Sequence, residues 1–322
     1  MSEPIVDELL HSPEPSIRWK VRTRVLGEAE DAPAVRRLRR EIRRSPRVEA
    51  LLAHRDTGGP SNVYAKWQGA HWVLAALAEL GYPSGDKTLT PLARRVCDAW
   101  LAPDMMRDRI VAGRHRRCGS IQGNALFAVS RLGLLEDRAD RLATLLTRWQ
   151  WPEGGWNCDR KPGASSPSFM ETLVPMRALA AYAARGGAGA RAARVAAERA
   201  AEVFLERRLF RRRSTGEVIR KDFVQLHYPL YWHYDVLGGL VGLVEAGRID
   251  DERCDDALDL LESKRLPDGG WPAEARYYRR VGDERTVSGS YVDWGGTDRR
   301  HFNPWVTADA LAVLAAAGRV KP

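Results

Sequence analysis

Five apolar segments that each stop at a glycine recur along the chain, and no other feature restricts its fold as much. They are "LAALAELGY" to Gly81, "FAVSRLGL" to Gly133, "RALAAYAARG" to Gly186, "LVGLVEAG" to Gly247 and "LAVLAAAG" to Gly318. An apolar helix that ends on a left-handed glycine cap is a buried helix with a defined stop. The stops are 52, 53, 61 and 71 residues apart. Between them lie "PLARRVCDAWL", "EDRADRLATLLTRWQ", "AARVAAERAAEVFLERRLF" and "DDERCDDALDLLESKR". Each of these has one apolar stripe and one charged face, so it should be covered on one side only. Buried and half-buried helices that alternate at a period near 50 residues describe an inner and an outer ring.

No strand-like alternation of useful length competes with this reading. The expectation is all-α: a single α/α toroid of five to six helical hairpins. Its inner helices should lie near 62–80, 118–132, 167–185, 228–246 and 304–317. Residues 1–55, with "SIRWKVRTRVLGE" and "APAVRRLRREIRR", should supply either a sixth hairpin or a HEAT-like cap on a toroid that spans 56–322. The stretches at 211–221 and 276–300 read as long loops.

Two turns between an outer and an inner helix are near copies. "LLTRWQWPEGGW" and "LLESKRLPDGGW" align Leu145–Leu146 with Leu260–Leu261 and Trp156 with Trp271. "LLAHRDTGGP" at 51–60 is a weaker third copy. In the first, Gln150 can cap the end of the preceding helix while the indole of Trp156 covers the turn. Such a turn clasps neighbouring repeats and keeps its tryptophan structural.

This clasp resembles the QW motif of the squalene-hopene cyclase and protein prenyltransferase superfamily, whose members share the α/α toroid. Gln150, Gly154 and Trp156 fit the motif, whereas Arg265 stands in place of the second glutamine. The layout over residues 15–318 also resembles bacterial prenyltransferase/squalene oxidase repeat proteins, through "PSIRWKVRTRVLGE", "GGWNC", "LHYPLYWHYDVL" and "WVTADALAVL". The DxDD motif with which class II terpene cyclases protonate an alkene does not occur. Asp255-Asp256-x-x-Asp259 formally reads as a DDxxD box, but on an outer helix it reads as a solvated face. Squalene-type cyclases also use a second barrel, for which 322 residues leave no room.

In a toroid of this kind the inner helices run the same way, so their N-termini converge on one mouth. The residues that open them are "YAKWQGAH" (64–71), "CGSIQGN" (118–124), "SPSFMET" (166–172), "HYPLYWHYD" (227–235) and "HFNPWVTAD" (301–309). They are polar, aromatic and titratable, unlike the aliphatic sequence farther along. Convergent polar groups over apolar walls are what a ligand site needs. Most of these helices are entered through basic residues: Arg114, Arg116 and Arg117; Arg160 and Lys161; Arg220 and Lys221; Arg299 and Arg300; and Lys66 in the remaining one. Helix N-termini attract anions. The expected substrate therefore has an anionic, phosphate- or diphosphate-like head and an apolar, isoprenoid-like body. Lys66, Trp67, Arg117, Gln122, Arg220, Lys221, Tyr231 and Trp305 are its candidate contacts.

Acid–base candidates at the mouth are Glu171, Asp235, His233 and His71, with Tyr234 beside them. A carboxylate among aromatic rings in a partly dry cavity would have a raised pKa. The resemblance to protein prenyltransferases also implies zinc, which that family holds with Asp, Cys and His at this mouth. The matching positions are Cys158 and Asp159 before the third inner helix and His227 opening the fourth, with Cys118 from the second. Three such ligands and a water make an open tetrahedral site. The alternative is that the thiols are packing and no cofactor is bound. Cys97 and Cys254 fall on outer helices.

Of 51 basic residues only seven are lysines, and the formal net charge is +9. Charge without a defined basic face does not argue for nucleic acid. No run reaches the ~18 apolar residues of a membrane span. The acidic start "MSEPIVDELLHSPEPS" lacks the layout of a signal peptide, so a cytoplasmic location is the expectation. Three function classes stay open: an enzyme acting on a small molecule in the mouth, a non-catalytic module that binds peptide, lipid or nucleic acid on a degenerate toroid, or a degenerate member with a structural role only. The oligomeric state has no signature in the sequence.

Overall fold

The computed structural model describes residues 4–59, 61–280 and 288–321. The helices in chain order are α1 (Pro4–Leu10), α2 (Pro15–Lys20, continued by a π-helical turn over Val21–Val25), α3 (Pro33–Arg43), α4 (Pro46–Ala53), α5 (Ala70–Glu79), α6 (Thr90–Trp100) and α7 (Pro103–Met106). There follow α8 (Gly119–Arg131), α9 (Glu136–Trp149), α10 (Phe169–Ala184), α11 (Ala190–Leu205), α12 (Val236–Glu245), α13 (Asp255–Ser263) and α14 (Pro304–Ala316). Strand among the described residues is confined to two ribbons of two-residue strands. Ile110–Val111 pairs antiparallel with Arg114–His115, and Arg279–Arg280 pairs parallel with Gly289–Ser290.

The inner ring runs α5–α8–α10–α12–α14 and closes through α2, which packs with its π turn against α14. On the other side Trp19 of α2 covers Gly81, the residue that stops α5. Helices α3, α6, α9, α11 and α13 each pack beside an inner helix and form the outer ring. The sixth outer place is taken by α1, which packs on α2 and whose Ile5 lies against Gly269 in the turn before α14. The protein is thus an α/α toroid in which the N-terminal helices complete both rings. All five stop glycines take left-handed φ angles, between 64° and 80°.

Two inner helices start later than the sequence pattern predicts. Residues 61–68 form turns before α5, with Trp67 at φ 64°. Residues 227–235 form a loop before α12, because the Asp235 side chain accepts from Gly238 N and caps that helix. Both irregular segments end up at the mouth, where a regular helix would have pointed their side chains along the ring.

The two tryptophan turns are equivalent atom for atom. Trp156 Nε1 donates to Leu146 O at 3.1 Å, and Trp271 Nε1 donates to Leu261 O at 2.7 Å. Their backbone N–H groups donate to Thr172 Oγ1 and Thr307 Oγ1 on the following inner helices. Gln150 Nε2 donates to Gly154 O, and in the second copy Arg265 Nε donates to Gly269 O, so the arginine fills the place of the glutamine. Gln150 also donates to Ala196 O of α11, which ties the turn to the next outer helix. Both indoles are fully buried away from the lumen.

Gly154 shows why the turn needs glycine. Its φ is +93°, and a Cβ there would lie 2.2 Å from Arg199 O. Glycine also sets the spacing of α8 and α10, since a Cβ on Gly123 would lie 3.0 Å from Pro175 N.

Candidate functional site

The lumen opens at the N-terminal ends of the inner helices and encloses about 70 Å³. Its walls are Trp72, Ala75 and Ala76 of α5, Phe127 of α8, Leu173 and Val174 of α10, Leu237 and Val241 of α12 and Val306 of α14. Polar groups enter from the 227–235 loop and from Asn124. Ligand sites for drug-sized molecules run to ~300–1,000 Å³, so this lumen takes a small molecule or a narrow terminal group of a larger one.

His227 is the best-defined polar group in it. The residue is 2% exposed, with Nδ1 2.8 Å from Asp235 Oδ2 and 3.3 Å from Gln225 O. Both neighbours are acceptors, so Nδ1 points a proton at them and Nε2 is the ring atom left over. Nε2 is buried without a protein partner, and His227 lines the lumen. Asp235 is itself held: it accepts from His227 N at 2.8 Å and from Gly238 N at 2.7 Å. The carboxylate therefore fixes both the helix start and the imidazole.

Aromatic rings roof the mouth. His233 stacks on Tyr277 with centroids 3.8 Å apart, and Tyr231 stacks on Trp67 at 4.1 Å. Trp67 Nε1 donates to Tyr277 O, which ties the roof to the chain just before the Arg279–Arg280 strand. Burial, with help from nearby His227, holds His233 down at about 3, so its ring is neutral at ordinary pH.

A charged layer forms the floor. Arg177 of α10 donates from Nη1 to Glu79 at 2.7 Å and from Nε to Glu245 at 2.7 Å. Lys20 of α2 reaches Asp309 of α14 at 2.6 Å and lies over the rings of Tyr228 and Trp305. Burial pushes Glu79 up, but Arg177 and then Lys20 outweigh it and hold the carboxyl at about 2. Glu79, Arg177 and Asp309 line the lumen from below. Asp309 and Glu245, with Arg24 and Arg131, also line a separate depression at the other end of the barrel. The layer parts the two.

A second cluster sits beside the lumen, at the starts of α8 and α10. Cys118, Cys158 and Glu171 bring ligand atoms within 4.8 Å of one another. Cys118 is the residue before α8, Cys158 follows the tryptophan turn, and Glu171 lies in the first turn of α10. Cys158 Sγ lies 3.6 Å from Glu171 Oε1, while Glu171 Oε2 accepts from Ser120 N at 2.9 Å. Burial raises the Glu171 pKa against the pull of that N–H. The hydrogen bond between the thiols, the largest effect on either, lowers Cys118 and raises Cys158. Tyr64 stands close by, pushed up to about 12 by burial and then by Glu171 and Cys118.

The remaining candidates separate. Asp159 is exposed and accepts from Lys161 N, and His227 lies outside the thiol cluster, so the expected set of Cys118, Cys158, Asp159 and His227 does not assemble. Tyr234 donates to Leu209 O and packs on Phe204, away from the lumen. His71 accepts from Trp100 Nε1 and burial holds it near 3, so it serves as packing. Gln122 donates to Trp100 O, and Trp305 stacks on Tyr228 behind the lumen wall.

Much of the basic rim is engaged by protein groups. Arg116 is buried over Trp151 and donates to Ala164 O. Arg117 donates to Asp104 O and Arg107 O, and Arg220 pairs with Asp222. Lys66 lies over Trp67 and Trp232, and Lys221 lies in the short 3-10 turn Lys221–Val224. Sequence reasoning missed the floor altogether. Its signal was the isolated charges, such as Glu79, Arg177, Glu245 and Asp309, set in otherwise apolar stretches of the inner helices.

No family model matches the chain, and no curated protein does. Among solved structures it is similar to an unsaturated glucuronyl hydrolase from Bacillus sp. GL1, responsible for the degradation of glycosaminoglycan. The identity is 16% and the TM-score 0.41, over 93% of this chain and 84% of that one. Nothing about this chain's chemistry follows from a likeness at that level. The resemblance read from the tryptophan turns stands at the level of the α/α toroid and does not extend to membership in the terpene cyclase and prenyltransferase superfamily. No described helix is long and apolar enough to cross a membrane.

Proposed function

We propose that this protein is an enzyme that carries out general acid–base chemistry on a small, largely apolar molecule in the lumen, with His227 as the base. The observation that carries the reading is the buried, unpartnered Nε2 of His227, a residue that lines the lumen, with Asp235 behind Nδ1. A buried polar atom without a partner is costly, and beside a cavity a bound ligand is one way to complete it. A carboxylate at Nδ1 orients the ring and stabilises the imidazolium that forms when Nε2 takes a proton. The same His⁺ can then return the proton to another atom of the bound molecule, which suits an isomerisation or an elimination. Asn124 and the Glu79–Arg177 floor supply polar contacts for a substrate's far end.

A diphosphate head draws less support. Arg116, Arg117 and Arg220 are committed to protein acceptors, and 70 Å³ is small for an isoprenoid chain. The test is untargeted mass spectrometry of a small-molecule extract incubated with the protein, with His227→Gln and with Asp235→Asn. Conversion of one or more compounds should slow by roughly 100-fold or more in His227→Gln. Compounds that bind wild type and variant alike and are never converted would favour a binding module instead.

A further inference from the structure

We propose that Cys118, Cys158 and Glu171 form a binding site for one zinc ion with its fourth position open to solvent. The inference is independent of the His227 reading, because it rests on different residues on different helices.

Geometry comes first. Three ligand atoms from three separate chain segments lie within 4.8 Å of one another. Zinc holds sulfur at ~2.3 Å and carboxylate oxygen at ~2.0 Å, so two such ligands on a tetrahedral ion stand about 3.5 Å apart. Cys158 Sγ and Glu171 Oε1 are 3.6 Å apart. Glu171 is also oriented as a single-oxygen ligand. Ser120 N holds Oε2 at 2.9 Å, which leaves Oε1 facing the thiols. A ligand fixed by such a backbone contact is the usual second layer of a metal site.

Local structure aims the thiols. The tryptophan turn holds the chain up to Trp156, and Asn157 Nδ2 then donates to Ser166 O, so Cys158 leaves the turn in a set direction. Asn157 Oδ1 accepts from Asp159 N, and the Asp159 side chain turns to Lys161 N, away from the cluster. All three residues are only half-buried, which leaves room for a water at the fourth position.

Charge agrees with the assignment. Two thiolates and a carboxylate around Zn²⁺ leave one net negative charge, placed where α8 and α10 present their positive ends. Two thiolates select a borderline-soft ion over Mg²⁺ or Ca²⁺. The other two cysteines, Cys97 and Cys254, are buried singly in outer elements, pushed up to about 12 chiefly by burial, and do not compete.

The experiment is elemental analysis of protein purified with reductant and without chelator. About one zinc per chain is expected, retained in Cys97→Ser and His227→Gln and lost in Cys118→Ser and Cys158→Ser. Cobalt in place of zinc should give thiolate-to-metal charge-transfer absorption, absent in Cys158→Ser. Glu171→Gln should keep that absorption but bind roughly tenfold or more weakly, since a neutral amide is a poor ligand. Circular dichroism identifies any variant that has merely unfolded, and Cys158→Ala then serves in place of Cys158→Ser. Protein that is isolated without zinc and takes up none from micromolar Zn²⁺ would overturn the assignment. So would a Cys118–Cys158 disulfide in protein handled without oxygen, or loss of zinc in His227→Gln.

Discussion

Replacing Arg177 by methionine tests the charged floor most directly. The guanidinium is about one-tenth exposed and bonds Glu79 once and Glu245 twice, at 2.7–3.0 Å. Methionine keeps much of the volume, so the loss is electrostatic rather than a cavity. Removal of one partner from a buried ion pair costs about 3–5 kcal/mol, because the remaining charge stays desolvated. Glu79 gives an independent figure. Its carboxyl is held at about 2 against an ordinary 4.5, and at ~1.4 kcal/mol per pH unit that is on the order of 3 kcal/mol.

The sign follows from the depressed carboxyl. Stability is present above pH ~4.5 and is lost as pH falls toward ~2, where the folded form must also take up the proton. In Arg177→Met, Glu79 still faces Lys20, and Glu245 still pairs with Arg131 at 2.9 Å. The acid-side loss should therefore shrink rather than vanish. Urea and thermal unfolding at pH 7 and at pH 3 measure both effects. The expected cost at pH 7 is at least ~3 kcal/mol, roughly 6 °C in Tm for a chain of this size. The triple variant Glu79→Gln/Arg177→Met/Glu245→Gln should recover most of it. A single variant within ~1 kcal/mol of wild type, or an unchanged acid profile, would refute the reasoning.

Two further outcomes follow from the geometry. Gly154→Ala should cost about 3 kcal/mol or more, because its Cβ would meet Arg199 O at 2.2 Å, whereas Gly269→Ala meets nothing nearer than 3.5 Å and should cost only the ~1–2 kcal/mol of its left-handed φ; equal losses in thermal unfolding would contradict this. His71 and His233, both held near 3 chiefly by burial, should stay neutral at pH 5 in heteronuclear NMR, and folding should weaken as pH falls from ~6.5 toward ~3, since the unfolded chain protonates them first.

The rings were legible because periodicity and glycine stops are properties of short segments. Helices α5, α8, α10, α12 and α14 fall within the expected spans, and the Trp156 and Trp271 turns pair as their sequences pair. The mouth was legible only in outline. Arg117 looks like a ligand for anions in "GRHRRC", yet its acceptors are the carbonyls of Asp104 in α7 and Arg107 just after it. Glu171 was visible as an acid near the mouth, but its place beside two thiols depends on how closely α8 and α10 approach. His227 and Asp235, eight residues apart, meet because the loop between them is irregular, and no periodic pattern describes that. The floor escaped notice because isolated charges in apolar helices look like interruptions until five helices superpose them.

The charged floor also has a kinetic meaning. With Arg177, Lys20 and their carboxylates across its base, the lumen is, among the described residues, closed at that end rather than a passage. Whatever enters at the aromatic rim must leave by the same way. Under the proposed function, product and incoming substrate then exclude each other, so product should inhibit competitively with substrate.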